Sequence, residues 1–206
     1  MLWVEYDSDQ SMAFVQAYVR DSTPLPPLQR LNVHKIIEYD PALAAFLRHS
    51  VPHAQLEVFA FYSNYIRGEL GEYLEALEAV APSVSTRVML YKWDIASTYM
   101  MDRLVMAASG AKELYIRDAD FDMEKACDFG EADIEYEIRD MRFDNDCYPE
   151  VIGLTSPQLE LIAEGIAGCS LKHSLKRMRV KKYPDGIGKM ETQRVLKKHG
   201  LTNVKV

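Results

Sequence analysis

The sequence predicts an α/β protein in which strands and helices alternate along all 206 residues, giving one parallel sheet and one layer of helices. Two observations carry this prediction. A short apolar pattern recurs along the chain at nearly constant intervals. Apolar residues at helical spacing fill most of the stretches between its copies. A unit of this kind cannot bury its apolar face alone, so successive copies are expected to stack on one another.

The strand pattern is clearest in residues 56–66, where apolar side chains stand at places one, four, six and eleven and Asn64 stands at place nine. Seven further copies have apolar residues or Tyr at places four and six. The predicted copies begin at Met1, Leu28, Leu56, Ser85, Ala111, Asp133, Leu175 and Leu201. The unit from Ala111 is 22 residues long and has room for only one helical turn, whereas the unit from Asp133 is 42 long and must carry an insertion around 145–154.

Helices are predicted between most of these strands. Helical apolar spacing is found in residues 12–19, 43–47, 70–80, 100–108, 159–166 and 195–196. Three glycines stand just past predicted helices, where C-cap glycines are common: Gly110, Gly168 and Gly200. Because strand and helix alternate without a break in composition, residues 1–206 are expected to form a single domain.

The pattern of residues 56–66 reads LxxLxLxxNxL and resembles the strand segment of a leucine-rich repeat. The chain as a whole resembles divergent leucine-rich-repeat proteins with long, ribonuclease-inhibitor-like repeats, of the irregular kind common in ciliated protists. This resemblance implies a right-handed solenoid with about 7–8 strands, its sheet on the concave side and its helices on the convex side. The chain departs from the repeat at place nine, which only Asn64 fills as expected, so packing must stabilise most turns after the strands. The other residues at place nine are Ile36, Trp93, Ala119, Met141 and Tyr183.

Side chains at places three, five and seven should lie on the concave face, because neighbouring residues of a strand point to opposite faces. The middle of this face is rich in Tyr and Arg, which dominate protein interfaces. Strand propensity alone also favours Tyr at exposed strand positions, which is the simpler interpretation. The predicted partner-binding residues are His34, Tyr62, Met89, Tyr91, Tyr115, Arg117 and Arg139.

Charge is distributed unevenly along the chain, whose net charge is −7. Residues 118–150 contain 13 Asp or Glu, whereas residues 172–198 contain ten Lys or Arg. The basic stretch could contact phosphate or an acidic partner, or could simply be a solvated surface. It lacks glycine-rich phosphate loops and interleaved aromatic residues, which argues against nucleic-acid binding. The predicted basic patch consists of Lys176, Arg177, Arg179, Lys181 and Lys182.

No motif in the chain predicts catalysis, a metal or a cofactor. The acidic series from Asp118 to Glu124 resembles the start of a calcium loop, but Met123 and Phe129 replace the required Gly and Glu. Three widely spaced cysteines indicate reduced thiols in an intracellular protein. No apolar stretch is long enough to span a membrane. We therefore expect a cytoplasmic location, with an organelle as the open alternative.

These observations together favour a non-catalytic scaffold or adaptor that binds another protein on the concave face or at the ends of the solenoid. Such a protein could be one subunit of a large assembly. One alternative is the substrate-recognition part of a ubiquitin-ligase adaptor, although no F-box-like segment precedes the repeats. A second alternative, an enzyme or a metal- or nucleotide-binding protein, is suggested only by the acidic stretch of residues 118–150.

Overall fold

The computed structural model describes residues 1–5, 9–21, 25, 28–36, 39–49, 51, 55–63, 70–130, 134–145, 153–182 and 187–206. Within these residues the strands are β1 (Leu2–Glu5), β2 (Arg30–Ile36), β3 (Val58–Ser63), β4 (Arg87–Tyr91), β5 (Asp94–Ile95), β6 (Glu113–Arg117), β7 (Asp120–Phe121), β8 (Asp140–Asn145) and β9 (Arg177–Lys182). The α-helices are α1 (Asp9–Asp21), α2 (Pro41–His49), α3 (Leu70–Val80), α4 (Thr98–Ala107), α5 (Ser156–Gly168), α6 (Leu171–Ser174) and α7 (Lys189–Lys198). Short 3₁₀ helices at Ala81–Ser83 and Ala108–Gly110 follow α3 and α4.

The strands form a mostly parallel sheet, so the predicted α/β class is confirmed. Among the described residues, the main sheet has seven strands in the order β1-β2-β3-β4-β6-β8-β9, and every neighbouring pair is parallel. Strands β5 and β7 form a second, two-stranded parallel sheet. Parallel neighbours need a crossover connection, and the helices between the strands supply it.

The register predicted for the central strands is confirmed. On β2, β3, β4 and β6, place four is occupied by Leu31, Phe59, Val88 and Leu114, and place six by Val33, Phe61, Leu90 and Ile116. All eight side chains are buried in one hydrophobic core with residues of the helices. The alternating side chains of the same strands are mostly half-buried, so the sheet has one packed face and one open face.

The predicted register of the sixth unit is wrong. Met141 and Phe143 of β8, not Tyr136 and Ile138, pair with Leu114 and Ile116 of β6. Apolar residues alternate with polar ones on both sides of Arg139, so the sequence offered two strands of similar pattern. Tyr136 is instead buried by a hydrogen bond from its hydroxyl to the carbonyl of Phe129. The fifth unit is therefore 27 residues long, and the sixth is 37.

The loop between β7 and β8 replaces a helix in the fifth unit, as the sequence predicted. No helix is found in the described residues 122–130 and 134–139. The loop packs instead on α5, where the backbone nitrogen of Cys127 donates to the carbonyl of Leu161. Most of the predicted insertion at 145–154 lies outside the described residues, which omit 146–152.

Both terminal copies are shifted by two residues from their predicted register. Leu2 and Val4 pair with Leu31 and Val33, so the first copy uses Leu2 and Val4 rather than Val4 and Tyr6. Near the C-terminus, a bridge between Arg177 and Lys205 aligns Val206 with Met178, where Val204 had been predicted. A slip by two keeps every side chain on the same face, so alternation alone cannot detect it.

The turns after the strands combine apolar packing with a polar row that the sequence did not predict. Ile36, Trp93 and Ala119 at place nine are buried, as expected from the missing asparagines, whereas Met141 belongs to place four and Tyr183 lies outside the described residues. One place earlier, polar residues occupy successive strand ends: Ser63, Lys92, Asp118 and Asn145. The Ser63 hydroxyl donates to the Lys92 carbonyl, whose own amide donates to the Arg117 carbonyl.

Candidate functional site

A row of stacked side chains runs across the open face of the sheet near the ends of β2, β3, β4 and β6; we call His34, Tyr62, Tyr91 and Arg117 the aromatic row. The His34 and Tyr62 rings stack with centroids 3.9 Å apart and planes 16° apart. The Tyr62 and Tyr91 rings stack at 4.0 Å and 10°. The Arg117 guanidinium lies 5.8 Å from the centre of the Tyr91 ring. In-register parallel strands about 4.8 Å apart bring matching positions into contact and so create this row.

Burial and hydrogen bonding keep the row neutral on its tyrosine side. Burial first, and then a side-chain hydrogen bond with Tyr91, raises the pKa of Tyr62 to about 12. At neutral pH the Tyr62 phenol is therefore protonated and can donate a hydrogen bond. Both tyrosine rings remain partly exposed, so the row presents a flat aromatic surface with polar ends.

Tyr115 on β6 occupies the centre of the open face between two arginines. The guanidinium of Arg87 lies 4.7 Å from the centre of the Tyr115 ring, and that of Arg142 lies 4.4 Å from it. Each guanidinium is also paired with a carboxylate: Arg87 with Glu113, and Arg142 with Asp140 at 3.1 Å. These contacts hold all three side chains in place before any partner arrives, which lowers the entropy cost of binding.

Six of the seven predicted partner-binding residues lie together on this face. His34, Tyr62, Tyr91 and Arg117 form the aromatic row, with Met89 and Tyr115 in the neighbouring row, where their strands pair. Arg139 does not join them. Because β8 begins at Asp140, Asp144 aligns with Arg117 and Arg139 lies before the strand, at the opposite edge of the sheet.

The predicted basic patch is divided by the strand β9. Lys176 and Arg177 lie at the edge where the strand begins, whereas Arg179 and Lys181 continue along the open face. Arg179 is 3.7 Å from Asp144. The side chain of Lys182 lies outside the described part of the chain.

Sequence reasoning did not single out Arg87, Lys112, Arg142 or Lys205 as site residues. Arg87 and Arg142 flank Tyr115, and Lys112 and Lys205 lie close to Lys176 and Arg177. A lysine or arginine carries no signal of its own in a sequence. The signal that could have found them is the set of matching places in successive copies, which needs the correct register of β8.

Other chemistry-bearing residues form no recognisable centre in the described chain. No group of three or more His, Cys, Asp and Glu among the described residues could hold a metal ion, and this includes the series from Asp118 to Glu124. Cys127 and Cys169 are buried, and burial raises the pKa of both thiols. Cys147 lies outside the described residues. Among the described helices, none is long and apolar enough to cross a membrane.

Comparison of the chain with models of protein families, with curated proteins and with solved structures finds no match.

Proposed function

We propose that this chain is a divergent leucine-rich-repeat protein that acts as a non-catalytic scaffold or adaptor. Support for the repeat comes from the strand order, which follows the chain, and from the regular intervals between aligned residues. Leu31, Phe59, Val88, Leu114 and Met141 align on neighbouring strands at intervals of 28, 29, 26 and 27 residues. Crossover connections between parallel strands are almost always right-handed, so a stack of these units would be a right-handed solenoid. The sheet would then form its concave side.

The proposed activity is binding of another protein on the open face of the sheet. The observation that carries it is the aromatic row together with Tyr115, all held in place by stacking and ion pairs. Tyrosine and arginine supply large contact areas and charge-assisted hydrogen bonds, and they are the residue types enriched among binding hot spots. Met89 beside the row adds an adaptable apolar contact.

The two halves of this face favour a partner with two kinds of surface. The half built on β2, β3 and β4 presents stacked rings, to which apolar and aromatic side chains can pack. The half built on β6, β8 and β9 presents arginines paired with carboxylates, which suits a polar rim. The proposed partner therefore inserts an apolar anchor over Tyr62 and Tyr91 and surrounds it with polar groups.

Alanine substitution with partner capture tests this proposal. The wild-type protein is used to capture a partner from the source cells, the partner is identified by mass spectrometry, and its affinity is measured by titration. Tyr62→Ala with Tyr91→Ala should weaken that affinity by about 2 kcal/mol or more per hot spot. Tyr99→Ala is the matched control, because Tyr99 is 62% exposed on α4, away from the sheet. Equal affinity for the double variant and the wild type would refute the proposal.

A further inference from the structure

A second surface with its own chemistry lies at the edge where β6, β8 and β9 begin. Lys112, Arg139 and Lys176 occupy place two in three neighbouring units. The amide of Arg139 donates to the carbonyl of Lys112 at 2.8 Å, and the amide of Lys176 donates to the carbonyl of Arg139 at 2.9 Å. These bonds place one cationic residue on each strand, at steps of about 4.8 Å. Long side chains can bring such charges onto one ligand.

These residues line an open groove of about 510 Å³. We call its five cationic residues the basic groove: Lys112, Arg139, Lys176, Arg177 and Lys205. The side chains of Arg139 and Arg177 are 62% and 56% exposed, so their charged ends are accessible. Asn203 completes the lining with a group that can both donate and accept hydrogen bonds.

The acidic residues in this groove leave most of its positive charge unneutralised. Only Glu113 and Asp140 contribute carboxylates to the lining. Glu113 is paired with Arg87, which lies outside the groove, and Asp140 is shared between Arg142 and Arg177. The groove therefore has five cations against two carboxylates that already have partners.

The positive charge is confined to this half of the edge. In the preceding units, place two is occupied by Gln29, Glu57 and Thr86, which lie on the same ladder of backbone hydrogen bonds. A general excess of surface lysine would not produce this change of sign between β4 and β6, because the whole chain has a net charge of −7. The basic groove is thus a local feature of the edge.

We propose that the basic groove binds a carboxylate-rich segment of a partner protein. Three or more Asp or Glu side chains, spaced about 5–7 Å apart on an extended or helical segment, would match cations at steps of about 4.8 Å. A nucleic acid fits less well, since no aromatic side chain lines the groove for base stacking and two carboxylates would face its phosphates. This site is separate from the aromatic row and does not depend on the function proposed for that row.

The experiment measures binding of a fluorescent oligo-glutamate peptide by anisotropy, with oligo-glutamine as the uncharged control. Wild-type protein should bind oligo-glutamate at low salt and release it as salt rises, because exposed charges are screened. Lys112→Glu, Arg139→Glu and Lys176→Glu in combination should weaken binding at least about tenfold. The matched triple variant Lys125→Glu, Lys189→Glu and Lys197→Glu has the same total charge, alters lysines outside the groove and should bind within about twofold of wild type.

Four outcomes would overturn the proposal. They are no binding of oligo-glutamate, an equal loss in both triple variants of confirmed fold, tighter binding of a single-stranded oligothymidylate than of oligo-glutamate, and sedimentation showing that the groove instead holds a second copy of the chain. The variant with Tyr62→Ala and Tyr91→Ala should still bind the peptide normally. Failure of this site and failure of the aromatic row are therefore distinguishable.

Discussion

Phe61 is a core residue whose removal should destabilise the protein strongly. Its ring is fully buried, with centroids 5.2 Å from both Tyr73 and Trp93. Phe61→Ala should lower the free energy of unfolding by about 3–5 kcal/mol, since it removes buried apolar contacts and leaves a cavity. Denaturant unfolding measures this change, and Tyr99→Ala on the surface should stay within about 0.5 kcal/mol of wild type. An unchanged midpoint for Phe61→Ala would show that Phe61 is outside the core.

The Tyr62 phenol should make stability depend on pH in the alkaline range. An unfolded tyrosine loses its proton near pH 10, whereas burial and the bond with Tyr91 raise the pKa of Tyr62 to about 12 in the native state. The native state therefore binds more protons between these values, and the free energy of unfolding falls as pH rises from about 10 to about 12. Below about pH 10 this contribution is fully present.

Comparison with Tyr62→Phe isolates that contribution. The variant keeps the ring but lacks the ionising hydroxyl, so its stability should fall less than that of wild type between pH 10 and 12. Other groups with raised pKa values, including Tyr115 and Tyr136, act in both proteins and cancel in the difference. Parallel pH profiles for the two proteins, measured by urea unfolding, would contradict the pKa assigned to Tyr62.

Contact between α5 and the loop before β8 depends on a glycine. A Cβ atom at Gly165 would lie 2.6 Å from the carbonyl oxygen of Cys127 and 2.8 Å from its Cβ. Gly165→Ala should therefore destabilise the protein by about 1–3 kcal/mol, because backbone must move to make room. Gly168→Ala is the matched control at the end of the same helix, where nothing lies within 4 Å. That control should be neutral or stabilising, and equal melting temperatures for both variants would mean that the contact is loose.

The element pattern shows what periodicity can and cannot predict. Helix positions and the register of β2, β3, β4 and β6 were predicted correctly, because each has one buried face and clear flanking signals. The register of β8 was not, because Ile134, Tyr136 and Ile138 alternate as well as Met141 and Phe143 do. What decides between them is the hydrogen bonding of Lys112 with Arg139 and Asp140, which is a long-range contact.

The open face of the whole sheet was predictable in part for the same reason. Places five and seven of the central copies identified Tyr62, Met89, Tyr91 and Tyr115 as residues of one surface, and their strand pairing confirms this placement. Their role in binding stays a prediction. The basic groove was missed because its charges come from three units far apart in sequence and meet only when β8 takes its correct register.

The protein interface on the open face is tested most directly by hydroxyl-radical footprinting with and without the captured partner. Tyr62, Met89 and Tyr91 should be oxidised several-fold more slowly in the complex, because a partner on the aromatic row would exclude solvent from them. Tyr99 and Met190, which are 62% and 84% exposed on the helices, should keep their rates. Unchanged oxidation of Tyr62, Met89 and Tyr91, with protection of Tyr99 or Met190 instead, would contradict the assignment of the open face as the binding surface.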